Sequence, residues 1–158
     1  MEKLSLKPVV KDNWVECSRL KVGKNQEGNL ASCLETIAQS AFEPHFELRA
    51  IQIGAKVVGM LAYCPEIDEP MPGLFWIFRI VVGKEYQGKG FGREAMQLSL
   101  VEIWKRGGLS VRTMCKQNNF PAIKCYESLG FRTKGMLDDG DILFELKRGS
   151  TASEVRDL

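Results

Sequence analysis

The chain predicts an α/β fold in which a mixed, mostly antiparallel sheet is flanked by helices. Apolar runs at 46–53 and 57–64 flank Gly54-Ala55-Lys56 as a hairpin. A second hairpin is signalled by 131–136 and 142–146 around Asp138-Asp139-Gly140-Asp141. Between them come an apolar strand at 74–82, a helix pattern and another strand at 109–115; such a crossover is right-handed, so these two strands lie parallel.

Each element has a local reason. Leu4 and Leu6 alternate with polar residues as a first strand. Asn13-Trp14-Val15-Glu16 reads as a capping box that starts a helix carrying Trp14, Cys17 and Leu20. Asn29 opens a second helix, whose Leu30, Leu34, Ile37, Ala38 and Ala41 keep near-helical spacing up to Pro44. β-Branched and aromatic residues fill 74–82. Helical periodicity runs from Arg93 to about Arg106, with Ala95, Met96, Leu100, Ile103 and Trp104 favouring one side and Gly107-Gly108 stopping it. Asn119 caps a shorter helix, Pro121 sits in its first turn, and Gly130 supplies a left-handed terminator. The aspartates at 138, 139 and 141 read as turn chemistry rather than a metal site. The polar tail, 147–158, reads as a fraying end beyond a single domain at 1–146.

Composition narrows the function. With 158 residues, 44% of them hydrophobic, the chain has the usual size of one domain and can bury a sizeable core. Its 22 basic and 20 acidic residues leave a net charge of +2, too weak a field to imply nucleic acid or an anionic membrane as partner. No apolar segment of signal-peptide length opens it, which leads to the expectation of a cytoplasmic protein. Five scattered cysteines without C-x-x-C pairs read as reduced, buried small hydrophobes, and no metal site is expected. His45, the one histidine, follows Pro44 and reads as structural.

The most informative segment joins strand 74–82 to the next helix: Gly83-Lys84-Glu85-Tyr86-Gln87-Gly88-Lys89-Gly90-Phe91-Gly92. Glycines at 88, 90 and 92 free the backbone for conformations closed to other residues, so that successive amides and a helix N-terminus can face one phosphate group. A Walker A loop nearly fits from Gly83 to Lys89, but Gly90 replaces the hydroxyl residue that would bind magnesium. A dinucleotide fingerprint starting at Gly88 would need its last glycine where Arg93 stands. What fits is Q-x-x-G-x-G, from Gln87 through Gly90 to Gly92. Downstream, Asn119-Phe120-Pro121-Ala122-Ile123-Lys124-Cys125-Tyr126-Glu127-Ser128-Leu129-Gly130-Phe131 fills every lettered position of N-x-x-A-x-x-x-Y-x-x-x-G-F.

These two segments, in this order, resemble the signatures of the GNAT superfamily of N-acetyltransferases. The resemblance implies a GNAT acyl-CoA N-acyltransferase fold, whose central parallel strands splay apart, with the cofactor's pantetheine arm in the resulting V. Carried over position by position, it implies that acetyl-CoA pairs with the open edge of Ile80, Val81 and Val82. Its pyrophosphate would sit on Gln87, Gly88, Lys89, Gly90, Phe91, Gly92 and Arg93, and Asn119 would hold the far side of the arm. Lys84 is a further phosphate partner to weigh against a solvated surface cation.

The resemblance also implies the chemistry. An amine attacks the thioester directly in a ternary complex, a backbone amide of Ile80 or Val82 faces the oxyanion, and the Tyr126 hydroxyl protonates the departing thiolate. Many relatives place a glutamate on the strand before the loop, whereas Phe75-Trp76-Ile77-Phe78-Arg79 has no carboxylate. Deprotonation is therefore open between Glu66, Asp68 or Glu69 acting through water and no dedicated base. Arg79 reads as a salt-bridge partner.

The segment at 65–73 gathers Glu66, Asp68 and Glu69 with three of the six prolines, a stiff acidic loop suited to a cationic amine and equally readable as a solvated charged loop. The chain to Leu146 is similar to bacterial diamine and polyamine acetyltransferases in Phe78-Arg79, Tyr86 to Gly92 and Gly135 to Leu146. Spermidine, spermine or a diamine is the acceptor this implies; a peptide or protein amine, an aminoglycoside, and a non-catalytic acyl-CoA-binding module are the rivals. Homodimers are common among relatives and are carried over as an expectation without a named interface.

Overall fold

The computed structural model describes residues 2–23 and 32–150. Strands β1 (Leu4–Pro8), β2 (Glu47–Ile53), β3 (Lys56–Pro65), β4 (Leu74–Val82), β5 (Ser110–Cys115), β6 (Arg132–Met136) and β7 (Ile142–Lys147) form one sheet. Its order is β1-β2-β3-β4-β5-β7-β6. β4 and β5 run parallel, and the other five neighbouring pairs are antiparallel. Helices α1 (Trp14–Ser18), α2 (Cys33–Ser40), α3 (Phe91–Lys105) and α4 (Phe120–Ser128) cover it. None of the described helices is long and apolar enough to cross a membrane.

Successive strand residues face opposite sides of a sheet, and here both sides are used. Ile51, Leu61, Ile77 and Val111 point into the larger core with Ala95, Met96, Leu100 and Ile103 of α3 and Tyr126 of α4. Their neighbours Ala50, Met60 and Val81 point into a smaller core with Cys17 of α1 and Cys33 of α2. β3 is covered on both faces, which is why it is buried without a break from Val57 to Cys64.

The structure corrects several local expectations. Asn13 does stand before α1, but its Oδ1 accepts from Val10 N at 2.7 Å and its Nδ2 donates to Pro8 O at 3.0 Å, so it closes the preceding turn and no capping box forms. α1 ends at Ser18, leaving Leu20 beyond it, and Trp14 is 41% exposed. Asn29 and Leu30 lie outside the described residues; the described α2 is capped by Ser32, whose hydroxyl accepts from Glu35 N. Its buried side is Cys33 and Thr36, whereas Leu34 is 52% exposed. α3 begins at Phe91, two residues before the expected start. Lys147 ends β7 rather than opening a loose tail, and Arg148 N donates to Leu109 O at 2.9 Å. Residues 151–158 of the expected fraying tail lie outside the described residues.

Candidate active site

The parallel pairing of β4 with β5 is short. It joins Leu74 to Ser110, Phe75 to Val111 and Trp76 to Arg112, then stops although both strands continue. At the next position a side chain takes over: Thr113 Oγ1 donates to Ile77 O at 2.8 Å. Opposite it, the β3 register slips between Ala62 and Tyr63, so Phe78 is bulged out of the ladder. A bulge bends and twists its strand, which turns β4 away from β5. Past the bulge, Gly83 N donates to Val58 O at 2.8 Å, toward β3. Alternation then directs the peptide groups of Ile80 and Val82 to the opposite, open edge. Val81 is turned the other way, its peptide toward β3 and its side chain in the smaller core, so it does not share that edge.

The open edge leads into the glycine corner. A single 3₁₀ turn, Lys84–Tyr86, is followed by Gln87, whose side-chain Nε2 donates to Val82 O at 3.0 Å. Gly88 and Gly90 have φ of 77° and 82°, a left-handed backbone in which glycine alone is unstrained. Among the described residues beyond the chain neighbours, no heavy atom lies within 4 Å of where a Cβ would stand at either residue. Gly92 differs: it is helical, and a Cβ there would meet Val82 Cγ2 at 3.6 Å. No side chain caps α3, whose first helical bond is Glu94 N to Gly90 O. The amides of Phe91, Gly92 and Arg93 therefore have no helical partner, which makes this end an anion seat.

Cations surround the corner unequally. Lys56 and Lys89 lie over the Tyr86 ring at 5.3 and 6.0 Å. Arg93 reaches away, its Nε donating to Ser128 Oγ at 3.0 Å.

Tyr126 comes from α4. Asn119 Oδ1 accepts from Ala122 N at 3.3 Å, which starts this helix, and Gly130 at φ 98° ends it so that Phe131 N donates to Tyr126 O. The Tyr126 ring, 4% exposed, packs 5.8 Å from Phe131 and 5.4 Å from Phe144. Thr113, where β4 and β5 part, is among the groups that act on its hydroxyl. Burial raises its pKa far above the ordinary phenol range, so it stays a protonated donor. The five thiols are held protonated too: burial pushes Cys33, Cys64 and Cys115 to about 11 and Cys17 to about 12, and also raises Cys125. None is a ready nucleophile.

The acidic loop stands apart. It precedes Leu74, at the paired end of β4, roughly 10 Å along the strand from Ile77 and roughly 25 Å from the corner at about 3.3 Å per residue. Glu66 is engaged on both oxygens: Trp76 Nε1 donates to one at 2.7 Å and Glu69 N to the other at 3.1 Å. An open cleft of about 320 Å³ lies here, walled by Glu66, Glu69, Met71 and Phe75. Among the described residues Arg79 forms no salt bridge, against expectation; its Nε donates to Thr36 Oγ1 at 3.1 Å, and burial lowers its pKa. His45 Nδ1 lies 3.7 Å from Glu43, and its ring stands edge-on to Phe46.

Sequence reasoning thus names the corner, Ile80, Val82 and Tyr126, which the fold sets along one V-shaped gap. It misses Ile77 and Thr113 at the vertex. One signal was available: Val111, Thr113 and Cys115 are the inward positions of β5, and Thr113 is the hydroxyl-bearing one.

Comparison with known proteins agrees with this architecture. Residues 14–131 match the sequence pattern of the Acetyltransferase (GNAT) family. The spermine/spermidine N(1)-acetyltransferase of Bacillus subtilis (strain 168) is 28% identical over 144 residues, 85% of this chain and 91% of that protein. Among solved structures, aminoglycoside acetyltransferase AAC(6')-Ib in complex with coenzyme A superposes with a TM-score of 0.77 at 18% identity, covering 94% of this chain and 96% of that one. The ribosomal-protein-S18-alanine N-acetyltransferase of Escherichia coli gives 0.69 at 19% identity over 92% and 94%. These two share the fold. On the extent of the family match, the chain belongs to the Acetyltransferase (GNAT) family.

Proposed function

We propose that this acetyltransferase moves an acetyl group from acetyl-CoA to a primary amine of a polyamine or diamine, by direct attack with both substrates bound. The single observation behind the chemistry is the V itself: a parallel pair that parts at Thr113, with a glycine corner at one end and a buried tyrosine at the vertex. The residues fit acetyl-CoA. The amides from Gly88 to Arg93 would bind its diphosphate, and Ile80 and Val82 would pair with the amides of its arm.

The thioester supplies an activated acetyl carbon and a thiol leaving group. The Ile80 or Val82 N–H donates to the negative charge that develops on the carbonyl oxygen. Tyr126 gives its proton to the sulfur as the bond to carbon breaks. A phenol raised by burial is a weak acid, but the same apolar surroundings raise a thiolate's affinity for the proton, so transfer stays near balance. Glu66, with both oxygens occupied, is poorly placed as a base; the amine sheds its proton as it leaves water.

Support for a polyamine comes from the Bacillus relative and from the acidic loop, roughly 10 Å along β4 from the vertex at about 3.3 Å per residue. Glu66, Asp68 and Glu69 would hold the ammonium group farther along the acceptor. The test is thiol release from acetyl-CoA with spermidine, spermine, putrescine, kanamycin and an alanine-leading peptide. The polyamines should show the highest kcat/KM. Acetylation of the peptide or kanamycin with polyamines left unused would contradict the assignment.

A further inference from the structure

The acceptor must reach the acetyl carbon from the side of the sheet that the carrier leaves open. α3, whose first turn would hold the diphosphate, and α4, which brings Tyr126, both pack on the larger core, so the amine comes in over the opposite face. Ile77 turns its side chain into that core; Trp76 before it and Phe78 after it turn to the amine's side. Trp76 is already engaged, its N–H on Glu66 at 2.7 Å and its ring 5.8 Å from the Arg112 guanidinium. Phe78 is placed differently. The bulge takes it out of the β3 ladder, and its ring meets that of Phe46, the residue before β2, with centroids 4.5 Å apart.

β2 and β4 are not neighbours, so this contact spans β3. Small side chains make room for it: Ala62, which pairs with Leu48 and Arg79, and Cys64, which pairs with Trp76, lie on this face. Both rings are half-buried, and together they form a short aromatic ledge. Past Phe46 the ledge runs into an open cleft of about 430 Å³ walled by Trp14, Ile37 and Ser40. Carboxylates stand at either side. Phe46 N donates to Glu43 O at 3.1 Å, and the Glu43 side chain, 44% exposed, lies 3.7 Å from His45 Nδ1. Glu66 stands on the β4 side, under the Trp76 N–H. Burial pushes the Cys64 thiol up to about 11, with the charges of Glu66 and then Glu43 adding to the rise. The arginines of this face are turned elsewhere, Arg79 to Thr36 and Arg112 to Glu145.

We propose that Phe46 and Phe78 form the ledge that selects the acceptor: the methylene chain of a polyamine lies along the two rings, and Glu43 faces its next ammonium group. The inference rests on the polyamine reading and gives the acidic loop an aromatic counterpart. Such a chain suits the surface. Methylene groups beside an ammonium share its positive charge and are drawn to the face of a phenyl ring, and each one covered leaves water favourably. A sugar or a peptide would bring hydroxyl and amide groups against the same rings, where they lose water without gaining a partner. The ledge therefore favours an apolar chain punctuated by positive charges.

The experiment is steady-state kinetics of wild type, Phe46→Ala, Phe46→Tyr, Phe78→Leu and Glu43→Lys, with spermidine and acetyl-CoA varied in turn. Phe46→Ala should raise the KM for spermidine about tenfold, and Phe78→Leu, which keeps bulk but loses the ring face, about fivefold. Glu43→Lys reverses a half-exposed charge and should raise it about fivefold. Phe46→Tyr keeps the ring and should stay within about twofold of wild type, and in every variant the KM for acetyl-CoA should move less than about twofold. A spermidine KM within about twofold of wild type in Phe46→Ala, Phe78→Leu or Glu43→Lys, no rescue by tyrosine, or an equal rise in the KM for acetyl-CoA would overturn the proposal. If the wild-type protein leaves the polyamines unused, the polyamine reading falls and the ledge falls with it. Polyamines acetylated by wild type beside any of the overturning results reject the ledge alone. Should the phenylalanine variants melt below the assay temperature, Glu43→Lys decides, and an unmoved spermidine KM there overturns the proposal.

Discussion

Arg93 Nε donates to Ser128 Oγ at 3.0 Å, which ties the first turn of α3, at the glycine corner, to the last turn of α4, the helix that carries Tyr126. The contact is solvent-exposed, so its worth is modest. Arg93→Ala and Ser128→Ala should each lower unfolding free energy by about 0.5–1.5 kcal/mol, and the double variant by little more than one alone. Urea denaturation of the four proteins reads this; full additivity would mean the two residues are not coupled.

Gly90 and Gly92 look equivalent in the motif but do different work. Gly90→Ala forces an L residue to φ 82°, at a cost of about 1–2 kcal/mol, and coenzyme A affinity should fall about tenfold as the corner distorts. Gly92→Ala is helical with ordinary contact to Val82 Cγ2, so binding should change by less than about twofold. Isothermal titration with coenzyme A separates them, and equal losses would contradict the assignment of strain to Gly90.

The acidic loop is fixed by the Trp76 indole on Glu66, with Arg112 lying 5.8 Å over the Trp76 ring. Glu66→Gln keeps an acceptor for that N–H and removes the charge. If the loop holds a distal ammonium, the KM for spermidine should rise about two- to fivefold, as for an exposed charge pair, with the KM for acetyl-CoA unmoved. Unchanged spermidine KM would remove Glu66 from acceptor binding.

Acid stability should report on Glu145. Burial pushes its carboxyl up, but hydrogen bonds from Arg112 at 2.8 Å and from Lys134 at 3.4 Å outweigh that and leave it below the usual range. A depressed folded pKa stabilises the fold above the unfolded value of about 4.3, and the gain is lost as pH falls from there through the lower folded value. Thermal melting of Glu145→Gln should lose less stability than wild type across that acid window. Parallel curves would contradict the ion-pair account.

Where a local signal and the tertiary fold agreed, the sequence was readable. β4 was bounded at Leu74 and Val82 because its apolar run ends on glycine at both sides, and α4 because Asn119, Pro121 and Gly130 each act within a turn. Asn13 shows the limit: its oxygen could serve α1 or the turn at Val10, and only the packed chain decides for the turn. On α2 the spacing favoured Leu34, yet the sheet covers Cys33 and Thr36, because Arg79 of β4 brings its guanidinium to the Thr36 hydroxyl. The vertex was hidden for a related reason. Thr113 and Ile77 are 36 positions apart, and no short pattern joins a strand hydroxyl to a carbonyl across a bulge.

The most direct measurement is a crystal structure of the protein with coenzyme A. The account predicts the diphosphate on the amides of Gly88 to Arg93, the arm against Ile80 and Val82, and the sulfur within hydrogen-bond reach of the Tyr126 hydroxyl. Coenzyme A bound elsewhere with the corner empty, or a sulfur remote from Tyr126, would contradict it.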